Sequence, residues 1–368
     1  MKKRFLGVLL SVAMVAAVLA GCGSSGAKET AAPAGSETEA ASEAASGETE
    51  AAGNTGDVIT VGFSQVGAES DWRTANSESM KSTFSTENGY NLIFDDAQQK
   101  QENQIAAIRN FIQQEVDYIV LAPVTESGWD TVLQEAKDAE IPVIIVDRMV
   151  NVSDDSLYAA WVGSNFKLEG QKACEWLKQY AAAKNMSEVN IVDIQGTIGA
   201  SAQIGRTEAL NEDVEANGWN LLAQQTGEFT QAKGQEVMES MLKQYDNINV
   251  VYCENDNEAF GAIEAIKAAG KTVGPDGDIL VMSFDTTKQG ITDTLSGDII
   301  VNTECNPLHG PRVEQIIKQL QAGETPEKQA YVEEGIYAHG SDVASVSIDG
   351  TDYEVTEVTQ DVVDARAY

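Results

Sequence analysis

The clearest pattern in this chain is a regular alternation of short apolar runs with longer amphipathic stretches, which begins at residue 57. Short apolar runs are typical of buried strands, and amphipathic stretches are typical of helices that cover a sheet. The first series predicts strands at 58–64, 91–94, 117–121 and 142–146, and helices at 70–88, 100–114 and 128–140. A second series predicts strands at 159–162, 190–194, 221–225, 250–253, 279–284 and 299–302, again with helices between them.

Strands that alternate with helices form βαβ units, which build parallel sheets. Because the two series are alike in layout, the pattern predicts an α/β fold with two similar doubly wound parallel-sheet lobes. Ligands of such sheets bind outside the carboxyl ends of the strands. The side chains that follow the predicted strands are therefore the candidates for a binding site.

The start of the chain has the layout of a secretory signal, with basic residues, an apolar stretch up to Leu19, and the small residues Ala20 and Gly21. Together with Cys22 these three residues resemble the bacterial lipobox. The resemblance implies that residues 1–21 are a lipoprotein signal peptide and that Cys22 carries the lipid. A short transmembrane helix is the alternative, although no stop-transfer flank follows Cys22.

Residues 22–56 consist almost entirely of Gly, Ala, Ser, Thr and Glu, without an aromatic residue. Such a segment buries too little apolar surface to offset its ordering entropy, which predicts a disordered acidic linker after the lipidated cysteine. The linker would hold the folded part near the extracytoplasmic face of a bacterial membrane, anchored by acyl chains.

The chain has 58 acidic and 24 basic residues and a net charge of −34. A surface this acidic repels phosphate backbones, which excludes nucleic acid as a partner. Beyond Cys22 the sequence has three scattered cysteines, Cys174, Cys253 and Cys305. An odd number at irregular spacing predicts buried free thiols rather than a disulfide framework.

Polar and aromatic side chains follow most of the predicted strands. A single carboxylate after a strand is more often a helix cap. Seven strand ends with Asp, Asn, Glu, Arg or an aromatic residue indicate a binding site.

Four stretches carry a specific resemblance, at 61–67, 98–105, 135–143 and 234–240. They are similar to the solute-binding proteins of sugar ABC transporters, in the ribose-binding-like group, and within that group to its galactofuranose-binding branch. The likeness extends over residues 58–325 and fades after Gly335.

By this resemblance, Trp72 and Arg73 stand where the group has a pair of aromatic wall residues, and Glu304 stands where ribose binders carry a glutamine. Asp147 and Arg148 match the group's Asp-Arg pair. The remaining matches are Arg206, Phe229, Asn255 and Asp285. With Ser70, which follows the first strand, the residues matched in this way are the candidate ligand-binding residues. They suit a neutral sugar, because each sugar hydroxyl both donates and accepts hydrogen bonds and aromatic rings cover the apolar C–H faces of a sugar ring. The changes at positions 73 and 304 argue against ribose, and we expect galactofuranose or arabinofuranose as the monosaccharide.

The resemblance also implies a periplasmic-binding-protein type I fold, with a hinge of three segments near residues 163–164, 304–305 and 334–336. The N-terminal lobe is predicted to comprise 57–163 plus 305–335, and the C-terminal lobe 164–304 plus 336–368. A ligand between the lobes favours their closure. The expected partners are the sugar, an ABC permease with its ATPase, and the membrane through the lipid anchor. A monomer is expected.

Several alternatives remain open at this stage. The three arginines also admit a sugar acid, and a receptor-coupled sensor would use the same cleft. A carbohydrate-active enzyme is a further alternative, because Asp95-Asp96 and Asp154-Asp155 are carboxylate pairs, but adjacent residues usually point apart. No nucleophile-elbow, dinucleotide or phosphate-loop motif occurs, and the two histidines are isolated. We therefore expect no enzyme activity, no cofactor and no metal.

Overall fold

The computed structural model describes residues 58–368, so the predicted signal peptide, Cys22 and the linker lie outside the described residues. Within this range the strands form two sheets, and helices cover both faces of each sheet. The two doubly wound α/β lobes that the alternation predicts are confirmed.

The first sheet has six strands, all parallel. In spatial order they are β11 (Gln329–Tyr331), β5 (Ala160–Gly163), β4 (Val143–Val146), β3 (Tyr118–Leu121), β1 (Ile59–Gln65) and β2 (Tyr90–Asp96). The helices that accompany them are α1 (Asp71–Thr83), α2 (Gln101–Gln113), α3 (Asp130–Asp138) and α9 (Gly310–Gln321).

The second sheet has eight strands, parallel except at the β10–β12 and β13–β14 pairs. In spatial order they are β13 (Ser345–Ile348), β14 (Thr351–Glu357), β12 (Ile336–Ala338), β10 (Val301–Glu304), β9 (Leu280–Asp285), β8 (Val250–Cys253), β6 (Asn190–Gln195) and β7 (Asn220–Thr226). Its helices are α4 (Phe166–Ala183), α5 (Ser201–Asn217), α6 (Gln231–Gln244), α7 (Asp256–Ala268), α8 (Lys288–Ser296) and α10 (Gln360–Ala365).

The central strands β3, β4 and β8 are continuously apolar because each of them contributes to two hydrophobic cores. In β8, Val250 and Tyr252 pack into the core under α4, while Val251 and Cys253 pack into the core under α6 and α7. Successive side chains of a strand point to opposite faces, so a sheet covered on both faces needs apolar residues at every position. The first sheet is packed in the same way.

The chain passes between the two sheets three times: from β5 to α4, from β10 to α9, and from β11 to β12. These three connections form the hinge that the family resemblance implies. The residue limits given for each lobe stay a prediction.

The helix predicted at 70–88 is shorter in the structure, where α1 ends at Thr83. The side chain of Asn88 donates from Nδ2 to the carbonyl oxygens of Ser82 and Thr83, at 3.0 Å each. Those carbonyls have no partner within the helix, so this side chain terminates it. A short 3₁₀ turn follows, and Gly89 closes it with a φ of 87°.

The segment after residue 340, which the resemblance leaves unplaced, belongs to the second sheet. β13 and β14 form a hairpin whose turn residues Asp349 and Gly350 have φ values of 50° and 81°. Positive φ at both central positions is typical of the turn that matches the twist of a hairpin. β14 pairs with β12, and α10 packs beside α8.

The three cysteines of the described residues are buried free thiols, as predicted. Across residues 58–368, each helix is too short or too polar to pass through a lipid bilayer.

The packing of α6 on α7 gives a test of the fold. A Cβ atom added at Gly261 would lie 2.2 Å from the carbonyl oxygen of Gln231 and 2.6 Å from the backbone nitrogen of Gln235. We expect Gly261→Ala to lower the free energy of unfolding in urea by about 2–3 kcal/mol, because two helix backbones must separate. Glu239→Ala on the exposed face of α6 is the control and should change it little. Equal stability of the two variants would contradict this packing.

Candidate functional site

The carboxyl ends of the strands of both sheets surround a partly open cavity, in which the space that can hold water is about 30 Å³. Nine of the ten predicted ligand residues line it, and Glu304 does not. The lining residues are Glu69, Ser70, Trp72, Arg73, Asp147, Arg148, Phe166, Ala202, Arg206, Phe229, Asn255, Asp285 and Cys305.

Arg73 is the centre of the first-sheet side of the cavity. Ser70 begins α1 by accepting a hydrogen bond from the backbone nitrogen of Arg73 at 3.1 Å, which places the Arg73 side chain over the strand ends. Its Nε donates to Glu69 Oε1 at 3.0 Å, and its Nη1 lies 2.8 Å from Asp147 Oδ2. Burial lowers the pKa of Arg73, but these two carboxylates raise it above its ordinary value. Arg73 therefore stays charged.

Arg148 is less tightly paired than the Asp-Arg motif suggests. Its Nη1 donates to the carbonyl oxygen of Val124 at 3.0 Å, whereas its Nε lies 4.0 Å from Asp147 Oδ2. Burial and the charge of Arg73 lower the pKa of Arg148 to about 10, so it remains protonated at neutral pH. The guanidinium carbon lies 5.0 Å from the centre of the Phe229 ring on the other side of the cavity.

Arg206 holds the second-sheet side together. Its Nε donates to Glu169 Oε2 at 2.8 Å, and its Nη2 lies 3.5 Å from Asp285 Oδ1. Nη1 donates to the carbonyl oxygen of Glu254. Burial raises the pKa of Asp285 well above its ordinary value, and the charge of Arg206 opposes that rise. A ligand hydroxyl could therefore exchange hydrogen bonds with Asp285 in either protonation state.

Trp72 forms one wall and is fixed from the hinge. Its Nε1 donates to the carbonyl oxygen of Cys305 at 2.6 Å. The ring of His309 contacts it edge-on with a centroid distance of 5.9 Å. Burial lowers the pKa of His309 to about 4, so this buried histidine is neutral and packs against the wall. The isolated position of His309 in the sequence does not indicate this role.

Phe229 forms the opposite wall and has a backbone φ of 60°. Its nitrogen donates to Glu258 Oε1 at 2.8 Å, and its carbonyl oxygen accepts from Asn255 Nδ2 at 3.2 Å. A Cβ atom on Gly196 would lie 1.9 Å from the Phe229 ring. Two hydrogen bonds and a glycine therefore hold the ring in the cavity.

Three lining residues share a strained backbone: Asp147, Phe229 and Asp285 have φ values of 66°, 60° and 102°. A non-glycine residue in this region costs of order 1–3 kcal/mol, and such residues cluster at ligand sites. The strain turns each side chain from the strand direction into the cavity.

One buried oxygen of the cavity is free to accept a bond from a ligand. Glu69 Oε2 has no hydrogen-bond partner among residues 58–368. A buried acceptor without a partner is costly, so a ligand that donates to it gains affinity. Sugar hydroxyls are such donors.

The structure does not bring Glu304 together with the other predicted ligand-binding residues. Its carboxylate lies outside the cavity, where it accepts bonds from the backbone nitrogen of Gly335 at 2.9 Å, from Arg366 Nη1 at 2.8 Å and from the Tyr368 hydroxyl at 2.7 Å. Burial raises its pKa, but these bonds and the charge of Arg366 produce a net lowering. The C-terminal residues occupy the carboxylate, and spacing along the sequence could not show this.

Four further residues line the cavity that are not among the predicted ligand-binding residues: Glu69, Phe166, Ala202 and Cys305. Glu69 directly precedes the predicted residues of the first strand end, and Cys305 directly follows Glu304, so both had a weak positional signal. Phe166 and Ala202 are apolar residues near helix starts and gave none.

One group of ligand-type side chains lies close together within residues 58–368: atoms of Glu169, Cys305 and Glu334 fall within 4.8 Å of one another. Its chemistry does not suit a metal. Glu169 is already paired with Arg206, and burial raises the pKa of the Cys305 thiol well above its ordinary value. The absence of a bound metal stays a prediction.

Comparison with known proteins places these features in a family. Residues 61–303 match the model of the periplasmic binding protein domain. The galactofuranose-binding protein YtfQ of Escherichia coli (strain K12) is 42% identical over 284 residues, which cover 76% of this chain and 87% of YtfQ.

Two solved structures are similar over most of the described part. A protein from Mycobacterium smegmatis in complex with β-D-fucofuranose has a TM-score of 0.73 and 43% identity, covering 76% of this chain and 91% of that one. The binding component of the arabinose ABC transporter from Shewanella sp. ANA-3, bound to α- and β-L-arabinofuranose, has a TM-score of 0.71 and 42% identity, covering 76% and 92%.

Arg73 gives a test of the charge pairing without a ligand. In Arg73→Ala, Glu69 and Asp147 stay buried but lose their closest cation. We expect the free energy of unfolding in urea to fall by about 3 kcal/mol or more, because an uncompensated buried charge is costly. Arg109→Ala, which breaks the exposed pair with Glu135, is the matched control and should have little effect. A loss no larger than the control's would refute the pairing.

Proposed function

The chain belongs to the periplasmic binding protein family, and on that premise we propose that it captures a monosaccharide between two closing lobes and delivers it to an ABC permease. The observation that carries the proposal is the cavity that both sheets line with charged and aromatic side chains. Galactofuranose or arabinofuranose is the proposed sugar.

The charge balance of the cavity supports a neutral ligand. Arg73 lies between Glu69 and Asp147, and Arg206 lies between Glu169 and Asp285. Four carboxyl groups thus face these two arginines. An acidic sugar would add negative charge to a buried site that already compensates its arginines, whereas a neutral sugar adds none.

The aromatic walls of the cavity support a sugar ring as the ligand. Trp72 and Phe229 approach from opposite sheets and can cover the two faces of one sugar ring. The relatives from Mycobacterium smegmatis and Shewanella hold five-membered sugar rings at 43% and 42% identity. We therefore favour a furanose over a pyranose.

The ligand contacts come from both lobes, which explains why a bound sugar would favour their closure. Trp72, Arg73 and Arg148 belong to the first-sheet side, while Arg206 and Phe229 belong to the second. A ligand makes all of its contacts only when both sides meet, so it binds the closed state more tightly and shifts the population toward it. The permease and its ATPase would then recognise the closed form. We propose that the chain acts as a monomer and without catalysis.

A lipid anchor at Cys22 is proposed on the lipobox resemblance alone. It would keep the protein on the extracytoplasmic face of the membrane, within reach of its permease.

The sugar and its ring form can be tested by calorimetric titration. We expect one-to-one binding of L-arabinose or of galactofuranose derivatives, and none of galacturonate. The ring form follows from a matched pair, 1,4-anhydro-L-arabinitol with a five-membered ring and 1,5-anhydro-L-arabinitol with a six-membered ring. Tighter binding of the six-membered compound would overturn the furanose assignment, and binding of galacturonate would overturn the neutral ligand.

Substitution of Arg148 tests whether the cavity is the sugar-binding site. We expect Arg148→Ala to weaken sugar binding by about 2 kcal/mol, roughly 30-fold, because the ligand loses a charged donor that the protein leaves only partly used. Arg109→Ala, far from the cavity in the exposed pair with Glu135, should bind as the unmodified protein does. Unchanged affinity of Arg148→Ala would remove Arg148 from the site.

The anchor can be tested in cells that express the full chain. We expect labelled palmitate to be incorporated and the protein to sediment with membranes, whereas Cys22→Ser should lose both properties. Ser24→Ala is the control. Membrane association that persists in Cys22→Ser without the label would show that another segment holds the protein.

A further inference from the structure

The three hinge connections meet at one carboxyl group, that of Glu334 in the third connection. Its Oε1 accepts from the hydroxyl of Ser164 in the first connection at 2.7 Å and from the backbone nitrogen of Asn306 in the second at 2.7 Å. The Ser164 hydroxyl also lies 3.3 Å from Cys305 Sγ. One side chain thus ties together all of the segments that join the lobes.

A second carboxyl group faces this one from α4. Glu169 uses Oε2 to accept from Arg206 at 2.8 Å, whereas its Oε1 is buried and has no hydrogen-bond partner within the described residues. Glu169 is only 2% exposed, and oxygens of Glu169 and Glu334 lie within 4.8 Å of each other. A buried and a half-buried carboxylate this close repel one another unless they share a proton.

We propose that Glu169 and Glu334 form a single proton-binding site at the hinge, which is occupied in the closed protein and gives up its proton when the lobes open.

The charges around the pair support one shared proton rather than two ionised groups. Burial and the proximity of Glu169 raise the pKa of Glu334 well above its ordinary value. Burial also raises the pKa of Glu169, although Arg206 and Lys172 oppose this rise. Such a coupled pair titrates as a unit.

The other charged groups near the pair have partners of their own. Lys172 of α4 donates to the carbonyl oxygen of Glu334 at 2.9 Å. Glu304 at the end of β10 is paired with Arg366. Arg206 of α5 is shared with Asp285 of β9, and the neighbouring thiol of Cys305 is neutral. None of these groups supplies the missing donor between the two carboxyls of residues 169 and 334.

The site is linked to the ligand through Arg206, which lines the cavity and binds Glu169. On opening, water reaches the carboxyls and their pKa values return toward the ordinary range, so the proton leaves. Ligand-driven closure then takes up a proton. Because the closed state binds more protons, affinity falls as pH rises through the raised pKa of the pair, by up to about tenfold per pH unit.

The linkage to affinity rests on the proposed function, so the test has one readout with sugar and one without. With L-arabinose as the probe, the full chain is titrated by calorimetry in phosphate and in Tris, which differ in ionisation enthalpy. We expect the observed enthalpy to differ between the buffers by the uptake of up to one proton. In Glu334→Gln the amide donates to Glu169 permanently, so the buffer difference and the pH dependence of affinity should disappear.

Without sugar, the melting temperature of the full chain is measured between about pH 5 and pH 9. The unmodified protein should lose stability as pH rises, because the folded state holds a proton that the unfolded chain releases at lower pH. Glu334→Gln should lose less over this range. Glu333→Gln, the exposed neighbour in the same connection, is the control and should keep the slope of the unmodified protein.

The two readouts separate the possible failures. Equal melting slopes in the unmodified protein and Glu334→Gln would overturn the proton site. Intact L-arabinose binding with the same enthalpy in both buffers would overturn its coupling to closure. Absence of L-arabinose binding, with melting slopes that differ as expected, would count against the proposed sugar and leave the proton site supported.

Discussion

The structure depends on the compensation of buried charge. Arg73, Arg148 and Arg206 are buried, and an isolated buried ion would cost far more than a domain's net stability. The protein solves this by placing a carboxylate on either side of Arg73 and of Arg206. Each carboxylate comes from a different element, so the charges can be satisfied only when the strand ends are assembled.

The doubly wound sheets make this assembly possible. All strands of the first sheet run in the same direction, so the residues after β1 and β4 meet at one edge. Positive φ values at Asp147, Phe229 and Asp285 then turn those side chains inward. The apolar cores on both faces of each sheet supply the stability that this strain consumes.

Carboxylates also join distant segments of the chain at the hinge. Glu334 collects bonds from two other connections, and Glu304 collects bonds from the third connection and the C-terminal residues. The chain thus uses one carboxylate to join its three connections and another to attach its end. Glu169 accepts a bond from Arg206 at the cavity and lies within 4.8 Å of Glu334 at the hinge, so the cavity and the hinge segments belong to one network of charged groups.

The sequence by itself determined the alternation of strands and helices, because a sheet covered on both faces requires apolar runs of strand length. It also identified nine of the residues around the cavity, since polar side chains at strand ends converge wherever strands are parallel. Only the tertiary structure decided which charged side chains pair with one another. Arg73 rather than Arg148 lies closest to Asp147, and Glu304 turns to a tail more than 60 residues away. Ion pairing depends on a few ångströms between distant segments, and sequence spacing carries no such distance.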